Sequence, residues 1–399
     1  MPSVFPWVLT LIAAAVGAFI LSRRCNRYQA APLLGTVIGA AAGAVGSLVF
    51  VQPLNYCMFE PERAAVDAIF GVLLVGLGSA AFISGADFAA KLWYTRHLRA
   101  SAEQKSAGYF KGWLLPFLFL APTLIILALF LYYPSLDTFQ LSTLLARLGA
   151  RRTAFVCVDN FTSLVSNTQY LNSVGITLVL SAAIVFFSLA ISLFIALMAF
   201  QPIKGASIYR TLLVWPYAIS PAVAGAIFLL LFNPTGGIIN YFLNSTIGVS
   251  VPWLNSPQAA PWVVIIASVW KSLGYNVLFY IAGLQNVPDD LREAASIDGA
   301  NTVQRFFRVV FPLLSPITFF LIITNTTYAF FDTFGTIDLL TGGGPLNSTT
   351  TMMYNIYEVG IVNNDLGKAA AQSIVLFVMV IGLTIFQFRT AGQRVTYGA

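Results

Sequence analysis

Ser268, Lys271, Ser272 and Tyr275 recur at spacings of three and four inside the apolar run 261–284. On a helix that pattern puts hydroxyls, an amine and a phenol on one face. A second apolar run, 315–335, carries Thr326, Phe330 and Thr333 on one stripe, with Asn325, Tyr328 and Asp332 close by. A third, beginning near 209, is interrupted by Pro216 and Pro221 around Tyr217 and Ser220, and a kink there would expose backbone to an interior. Hydroxyls and aromatic faces suit a neutral polyhydroxyl ligand, because ring faces cover its apolar patches and hydroxyls meet its hydrogen bonds. Lys271 and Asp332 admit three readings: an ion pair with each other, a cation placed for an anionic ligand, or structural contacts at a helix junction. The other aromatics, mostly Phe, read as lipid-facing or packing residues.

Other chemistries find little support. The single histidine, His97, stands in a basic segment with no acid pair, so no catalytic constellation forms around it. Cys25, Cys57 and Cys157 share no spacing of a zinc, haem or thiol-redox site. No G-x-x-x-x-G-K-[ST] phosphate loop occurs. Neither an enzyme nor a resident metal or cofactor is expected.

One polar segment has a marked grammar of its own. In VPDDLREAASIDGANTVQRFFRVVFPLLSPI (287–317), Pro288 breaks the incoming helix, and Asp290 with Glu293 has the spacing of a capping box. Asp298-Gly299 stops that helix. Asn301 with Gln304 caps a second one that runs to Pro312 and Pro316. The product is a rigid helix-turn-helix. Ala294, Ala295, Gly299 and Ala300 keep side-chain bulk low so that a partner's backbone could approach, while Arg292, Glu293 and Asp298 supply directed polar contacts. An ordinary amphipathic interfacial loop is the plainer alternative.

The elements that must hold these groups are set by composition. Hydrophobic residues make up 58% of the 399 and charged residues only 9%, far below the roughly 25% usual in soluble domains. A water-soluble fold is excluded. The net charge of +6 lies in short clusters beside apolar runs, which marks membrane orientation rather than nucleic-acid binding. Nine runs reach the length of a spanning helix: about 5–22, 32–52, 66–90, 113–133, 173–199, 209–232, 261–284, 315–335 and 370–388. Arg and Lys concentrate in 23–31, 91–112, 200–210, 285–314 and the tail, which predicts an outer N-terminus and a cytoplasmic C-terminus. Basic residues follow the first apolar run rather than precede it, so that run reads as an anchor rather than a cleaved signal. The expected fold class is an all-α polytopic membrane protein of about nine transmembrane helices. Its parts are an Ala/Gly-rich three-helix segment at 1–100, a basic linker at 101–112, a six-helix core at 113–390 with the polar loop 286–314, and a tail at 391–399.

At the polar loop the chain resembles a known family. Glu293-Ala294-Ala295, then Gly299, then the Phe311-Pro312 ending is similar to the cytoplasmic loop of ATP-binding-cassette import permeases, with Phe where the family has Leu. LLTGGGPLNSTTTMMYNIY (339–357), WPYAISPAVAG (215–225) and LFNPTGGIIN (231–240) resemble the larger, maltose-type permease of carbohydrate importers, and the likeness covers about 110 to 390. It implies a type I importer core whose loop seats on an ATPase through Glu293, Ala294, Ala295, Asp298, Gly299, Ala300 and Pro312. It also implies sugar contacts at Tyr217, Ser268, Lys271, Ser272, Tyr275, Thr326, Ala329, Phe330 and Thr333, although the family has amides at some of these places.

The partners implied are a second, smaller permease, two cytoplasmic ATPase subunits that hold ATP and magnesium, and an extracytoplasmic solute-binding protein. The setting is the bacterial inner membrane. The competing reading is an ion-coupled secondary transporter with Lys271 and Asp332 as coupling groups, which an inverted repeat would favour.

Overall fold

A computed structural model describes residues 5–27, 32–57, 76–88, 91, 114–149, 154–200 and 205–390. The basic linker 101–112, His97, Lys204 and the tail 391–399 lie outside the described residues. The chain forms two compact units, Met1–Thr162 with Asp365–Ala371, and Ser163–Asn364 with Gln372–Ala399.

The first unit opens with α1 (Phe5–Arg27) and α2 (Pro32–Cys57), followed by α3 at 76–88. Small residues let these backbones touch, as the Ala/Gly-rich composition predicts. A Cβ on Gly17 would collide with the Gly39 carbonyl, and one on Gly43 with the Ala13 carbonyl. Ser47 donates to Thr10 Oγ1 at 3.1 Å in the same seam. α4 (Leu114–Leu127) passes through a π-helical turn, Ala128–Tyr132, into α5 (Tyr133–Leu141). A short hairpin follows, β1 (Leu144–Leu145) antiparallel to β2 (Ala154–Phe155), and then α6 (Asp159–Ser166). Asn160 Nδ2 ties the loop together, donating to Ser142 O at 2.8 Å and Leu144 O at 3.0 Å. Gly367 N donates to Ala146 O at 3.1 Å, which fastens the start of the last helix to the same loop. Cys157, in this loop, is disulfide-bonded.

The second unit is built around α11 (Ala260–Gln285), whose neighbours are α7 (Thr168–Ala199), α8 (Ala206–Ala218), α9 (Pro221–Leu231), α15 (Ser315–Phe331) and α16 (Thr333–Leu340). α7 presents a buried row of Ser173, Thr177, Ser181, Ser188 and Ser192, small side chains that allow close approach. α8 and α9 form one apolar path bent by 101°. Pro216 and Pro221 produce the break: Ile219 turns extended, and Ser220 caps α9 by accepting from Val223 N at 3.3 Å with Pro221 at its first position. α10 (Ile238–Ile247) lies in the segment that follows, before α11.

The polar loop folds into α12 (Asp289–Ile297), α13 (Thr302–Arg305), a π-helical turn at Phe306–Val310 and α14 (Phe311–Leu313). The predicted stop is a Schellman motif, with Gly299 at φ +79° and bonds from Ala300 N to Ala295 O at 3.0 Å and Gly299 N to Ser296 O at 3.1 Å. The predicted Asn301/Gln304 capping box is formed. The Asp290/Glu293 box is not. Pro288 occupies the cap and the helix starts at Asp289, so Asp290 already has helical backbone and stabilises the first turn only by its charge. Val310, Leu314, Leu321, Tyr280, Leu284 and Ala196 share one core that seats this loop on α7, α11 and α15. α17 (Met352–Tyr357) and α18 (Leu366–Thr390) complete the chain. Among the described residues, four helices are long and apolar enough to cross a membrane, or six if each bent pair counts as one span.

Candidate functional site

Lys271 sits near the middle of α11 and is only 6% exposed. Its Nζ lies 5.5 Å from the centroid of the Tyr217 ring and 5.4 Å from that of Tyr328, within reach of both ring quadrupoles. The α8 break aims Tyr217 here. Gly274 makes this approach possible, since a Cβ there would stand 2.5 Å from Leu213 O and 2.7 Å from Val214 Cα of α8. Tyr217 also stacks on Tyr275, with centroids 5.2 Å apart and planes at 28°. Asp332 acts on Lys271 electrostatically. Yet among the described residues no carboxylate oxygen comes within 4.0 Å of Nζ, so the ion pair weighed from sequence is not a direct contact.

Two hydroxyls beside this group, Ser268 Oγ and Tyr328 Oη, have no hydrogen-bond partner among the described residues. A buried hydroxyl without a bond costs free energy, so a ligand group that bonded these two would recover that cost. The nest therefore offers one cation, two ring faces and two uncommitted hydroxyls, donors suited to an oxyanion and its neighbouring hydroxyl groups.

The other predicted contacts have different surroundings. Ser272 Oγ is 2.8 Å from Ser188 Oγ and donates to Val269 O at 3.0 Å. Thr326 Oγ1 donates to Ile322 O at 2.7 Å and accepts from Gln387 Nε2 at 3.0 Å. Thr333 Oγ1 donates to Ala329 O at 2.9 Å. Ala329 packs with Leu180, Ile184, Ile265 and Val269, and Phe330 is 1% exposed. Ser272 ties α11 to α7 and Thr326 ties α15 to α18, while Thr333 is engaged in a local bond and Ala329 and Phe330 are buried.

Sequence spacing undervalued Tyr328 and Asn276. Asn325, Tyr328 and Asp332 form their own stripe at spacings of three and four, and Asn276 continues the Ser268/Ser272 series. That periodicity could have found them.

The polar loop shows a second surface. Glu293, Ala294, Asp298, Gly299 and Pro312 are exposed, while Ala295 and Ala300 are half-buried. Ile297, 86% exposed, projects beside them with Val303 and Phe307. Arg292 is held by Asp289 at 3.1 Å, with its guanidinium 5.9 Å from the Phe200 ring.

The segment after α16 is stitched by threonines. Thr349 donates to Gly344 O at 2.8 Å, Thr350 to Gly343 O at 2.9 Å, and Thr341 Oγ1 lies 2.7 Å from Thr349 Oγ1. Burial pushes the Tyr354 phenol up, aided by the nearby carboxylates of Asp338 and Glu358.

A helical membrane fold with a buried polar nest and a protruding helix-turn-helix loop defines a transport permease. The model of the binding-protein-dependent transport system inner membrane component matches residues 193–391. The chain is 43% identical over 289 residues to the sn-glycerol-3-phosphate transport system permease protein UgpA of Rhizobium meliloti, covering 72% of this chain and 98% of that protein. Its identity to UgpA of Agrobacterium fabrum is 44% over the same length and shares. The chain belongs to this family of binding-protein-dependent permeases. It is a transport subunit of the multi-pass inner-membrane type and not an enzyme. Among solved structures, a bacterial ABC transporter that imports the acidic polysaccharide alginate contains a chain with TM-score 0.61 and 24% identity, covering 70% of this chain and 96% of that one. The same transporter with a pentasaccharide-bound periplasmic protein gives TM-score 0.63 at 23% identity, covering 72% and 96%. The fold is thus that of an ABC importer permease.

Proposed function

We propose that this chain is one of two membrane subunits of an ATP-driven importer for a sugar or polyol, and that the solute carries an anionic group. The observation that carries the second part is Lys271, buried between two tyrosine rings with no carboxylate among the described residues in direct contact. A desolvated ammonium needs a counter-charge, and a phosphate or carboxylate on the passing solute supplies one. The relatives in Rhizobium meliloti and Agrobacterium fabrum are sn-glycerol-3-phosphate permeases, which supports the same reading. Tyr217, Tyr275, Ser268 and Tyr328 would then meet the carbon and hydroxyl portion.

In this reading ATP and magnesium stay on two cytoplasmic partner subunits, which push on Glu293, Ala294, Ala295 and the exposed end of α12. A smaller permease completes the pathway, and a solute-binding protein delivers to the outer segments. The N-terminus is outside and the C-terminus cytoplasmic. Binding to the partner shifts the membrane subunits between inward and outward states by differential contact, without chemistry on this chain.

The test is ATP-dependent uptake by proteoliposomes holding the co-purified complex and its binding protein, with labelled sn-glycerol-3-phosphate and labelled glycerol compared. Lys271→Gln should cut uptake of the phosphate ester at least tenfold. Equal uptake of the two solutes by the native complex, or an unaffected variant, would show that the site does not select charge.

A further inference from the structure

We infer that Cys157 is bonded to Cys57, and that this disulfide staples the N-terminal three-helix segment to the outer loop of the permease. Cys157 is disulfide-bonded, and the chain has two other cysteines, Cys25 and Cys57. The helix register decides between them.

α1 and α2 pack as an antiparallel hairpin. Gly17 lies level with Gly39, Ala13 with Gly43, and Thr10 with Ser47. Each step toward the end of α2 is therefore a step toward the beginning of α1. Cys25, near the end of α1, and Cys57, at the end of α2, stand at opposite ends of the hairpin. Continuing the register, their levels differ by about 40 Å at the helical rise per residue. A disulfide joins Cα atoms only about 4.4–6.8 Å apart. Cys157 is thus bonded at one end or the other.

The chain between settles which end. Gly46 meets Ser79 and Phe82 of α3, while Gly17, level with Gly39, meets Ile83. α3 therefore runs antiparallel to α2 and starts at the Cys57 end. The apolar span Phe119–Leu141 returns across the membrane, and the loop with Cys157 follows it. Two crossings separate Cys57 from Cys157, so both lie on one face. Three separate Cys25 from Cys157, which puts those two on opposite faces.

The bond has consequences for topology and assembly. Structural disulfides persist on the oxidising side of a bacterial membrane, which independently places the Cys157 loop outside and agrees with the distribution of Arg and Lys. Two thiols become one S–S bond with loss of two protons and two electrons, taken up by exchange with the oxidised cysteine pair of an envelope thiol–disulfide oxidoreductase. The same loop is held by Asn160 and by Gly367 at the start of the last helix. The staple thereby fixes the added segment to that seam covalently.

A protease site inserted at 101–112 tests this in the assembled complex. After cleavage and denaturation without reductant, the two fragments should migrate together, and reductant should part them. Cys25→Ser should leave them joined, whereas Cys57→Ser and Cys157→Ser should each release the N-terminal fragment. Fragments that part without reductant, or that part in Cys25→Ser and stay joined in Cys57→Ser, overturn the assignment. The unmodified protein gives a second readout that needs no variant. An unreduced digest should contain the peptide pair joined through Cys57 and Cys157, and denatured protein should take up one maleimide before reduction and three after. A Cys25–Cys157 pair, or a free Cys157 peptide, overturns it.

Discussion

The side-chain amides of Asn276 on α11 and Asn325 on α15 exchange two hydrogen bonds, 3.0 Å in one direction and 2.7 Å in the other, with both residues buried. Asn325 Nδ2 also donates to Leu321 O at 2.8 Å. A reciprocal amide clasp fixes the register of two helices that both contribute to the Lys271 nest. Single polar bonds between membrane helices average only about 0.6 kcal/mol. Orphaning a buried amide costs more, about 1–3 kcal/mol. Asn276→Leu should therefore lower the unfolding midpoint of the purified complex, and the double variant Asn276→Leu/Asn325→Leu should recover part of the loss. A double variant no better than the sum of the singles would mean the clasp is not a unit.

Tyr328 offers a sharper separation of binding from folding. Its ring faces Lys271, and its hydroxyl has no partner among the described residues. Tyr328→Phe keeps the ring and removes the orphan, so the substituted protein should melt at the same temperature or slightly higher. If the hydroxyl meets the solute, the apparent KM for uptake should rise about tenfold, the effect of one hydrogen bond to a charged or polar group. An unchanged KM would place the solute elsewhere.

Parts of this arrangement were legible in the sequence because they rest on local rules. Pro216, Pro221 and Ser220 announced the α8/α9 break, and Asn301 with Gln304 announced the start of α13. The π-helical turns at 128–132 and 306–310 were not legible, since they keep apolar periodicity while changing the backbone bond. Nor could residue type tell which hydroxyls are committed. Thr326 and Thr333 each donate to the carbonyl four residues back, and Ser268 Oγ has no partner among the described residues, a difference that spacing alone does not set. The Cys57 and Cys157 relation was hidden for the same reason. It depends on helix packing and crossing parity, not on a cysteine interval.

At the polar loop the turn and the exposed carboxylate can be tested separately. Gly299 has φ +79° and no atom of the described residues within 4 Å of where a Cβ would stand, so Gly299→Ala meets backbone strain without a clash there. That strain is about 1–2 kcal/mol. It should show as a partial loss of solute-stimulated ATP hydrolysis, smaller in Gly299→Asn because Asn tolerates the left-handed region. Glu293 is exposed, and Glu293→Lys should leave insertion and melting unchanged while uptake and stimulated hydrolysis both collapse. Preserved uptake in Glu293→Lys would remove α12 from the coupling path.

Gly343 tests whether the outer segment must be rigid. Its φ is +76°, and a Cβ there would lie 2.6 Å from Tyr354 Cε1 and 2.7 Å from Thr350 Oγ1. Gly343→Ala therefore suffers both strain and collision, and it breaks the bond that Thr350 Oγ1 donates to Gly343 O. Met352, two residues beyond Thr350, donates its N–H to Thr177 Oγ1 of α7 at 2.8 Å. The disturbance should thus reach the outer end of α7 and reduce hydrolysis stimulated by the binding protein, while basal hydrolysis stays near its native rate. Tyr354→Ala in the same chain removes the ring contact but neither the Thr350 Oγ1 collision nor the backbone strain. It should restore stimulation only in part, and full restoration would show that the ring collision alone matters.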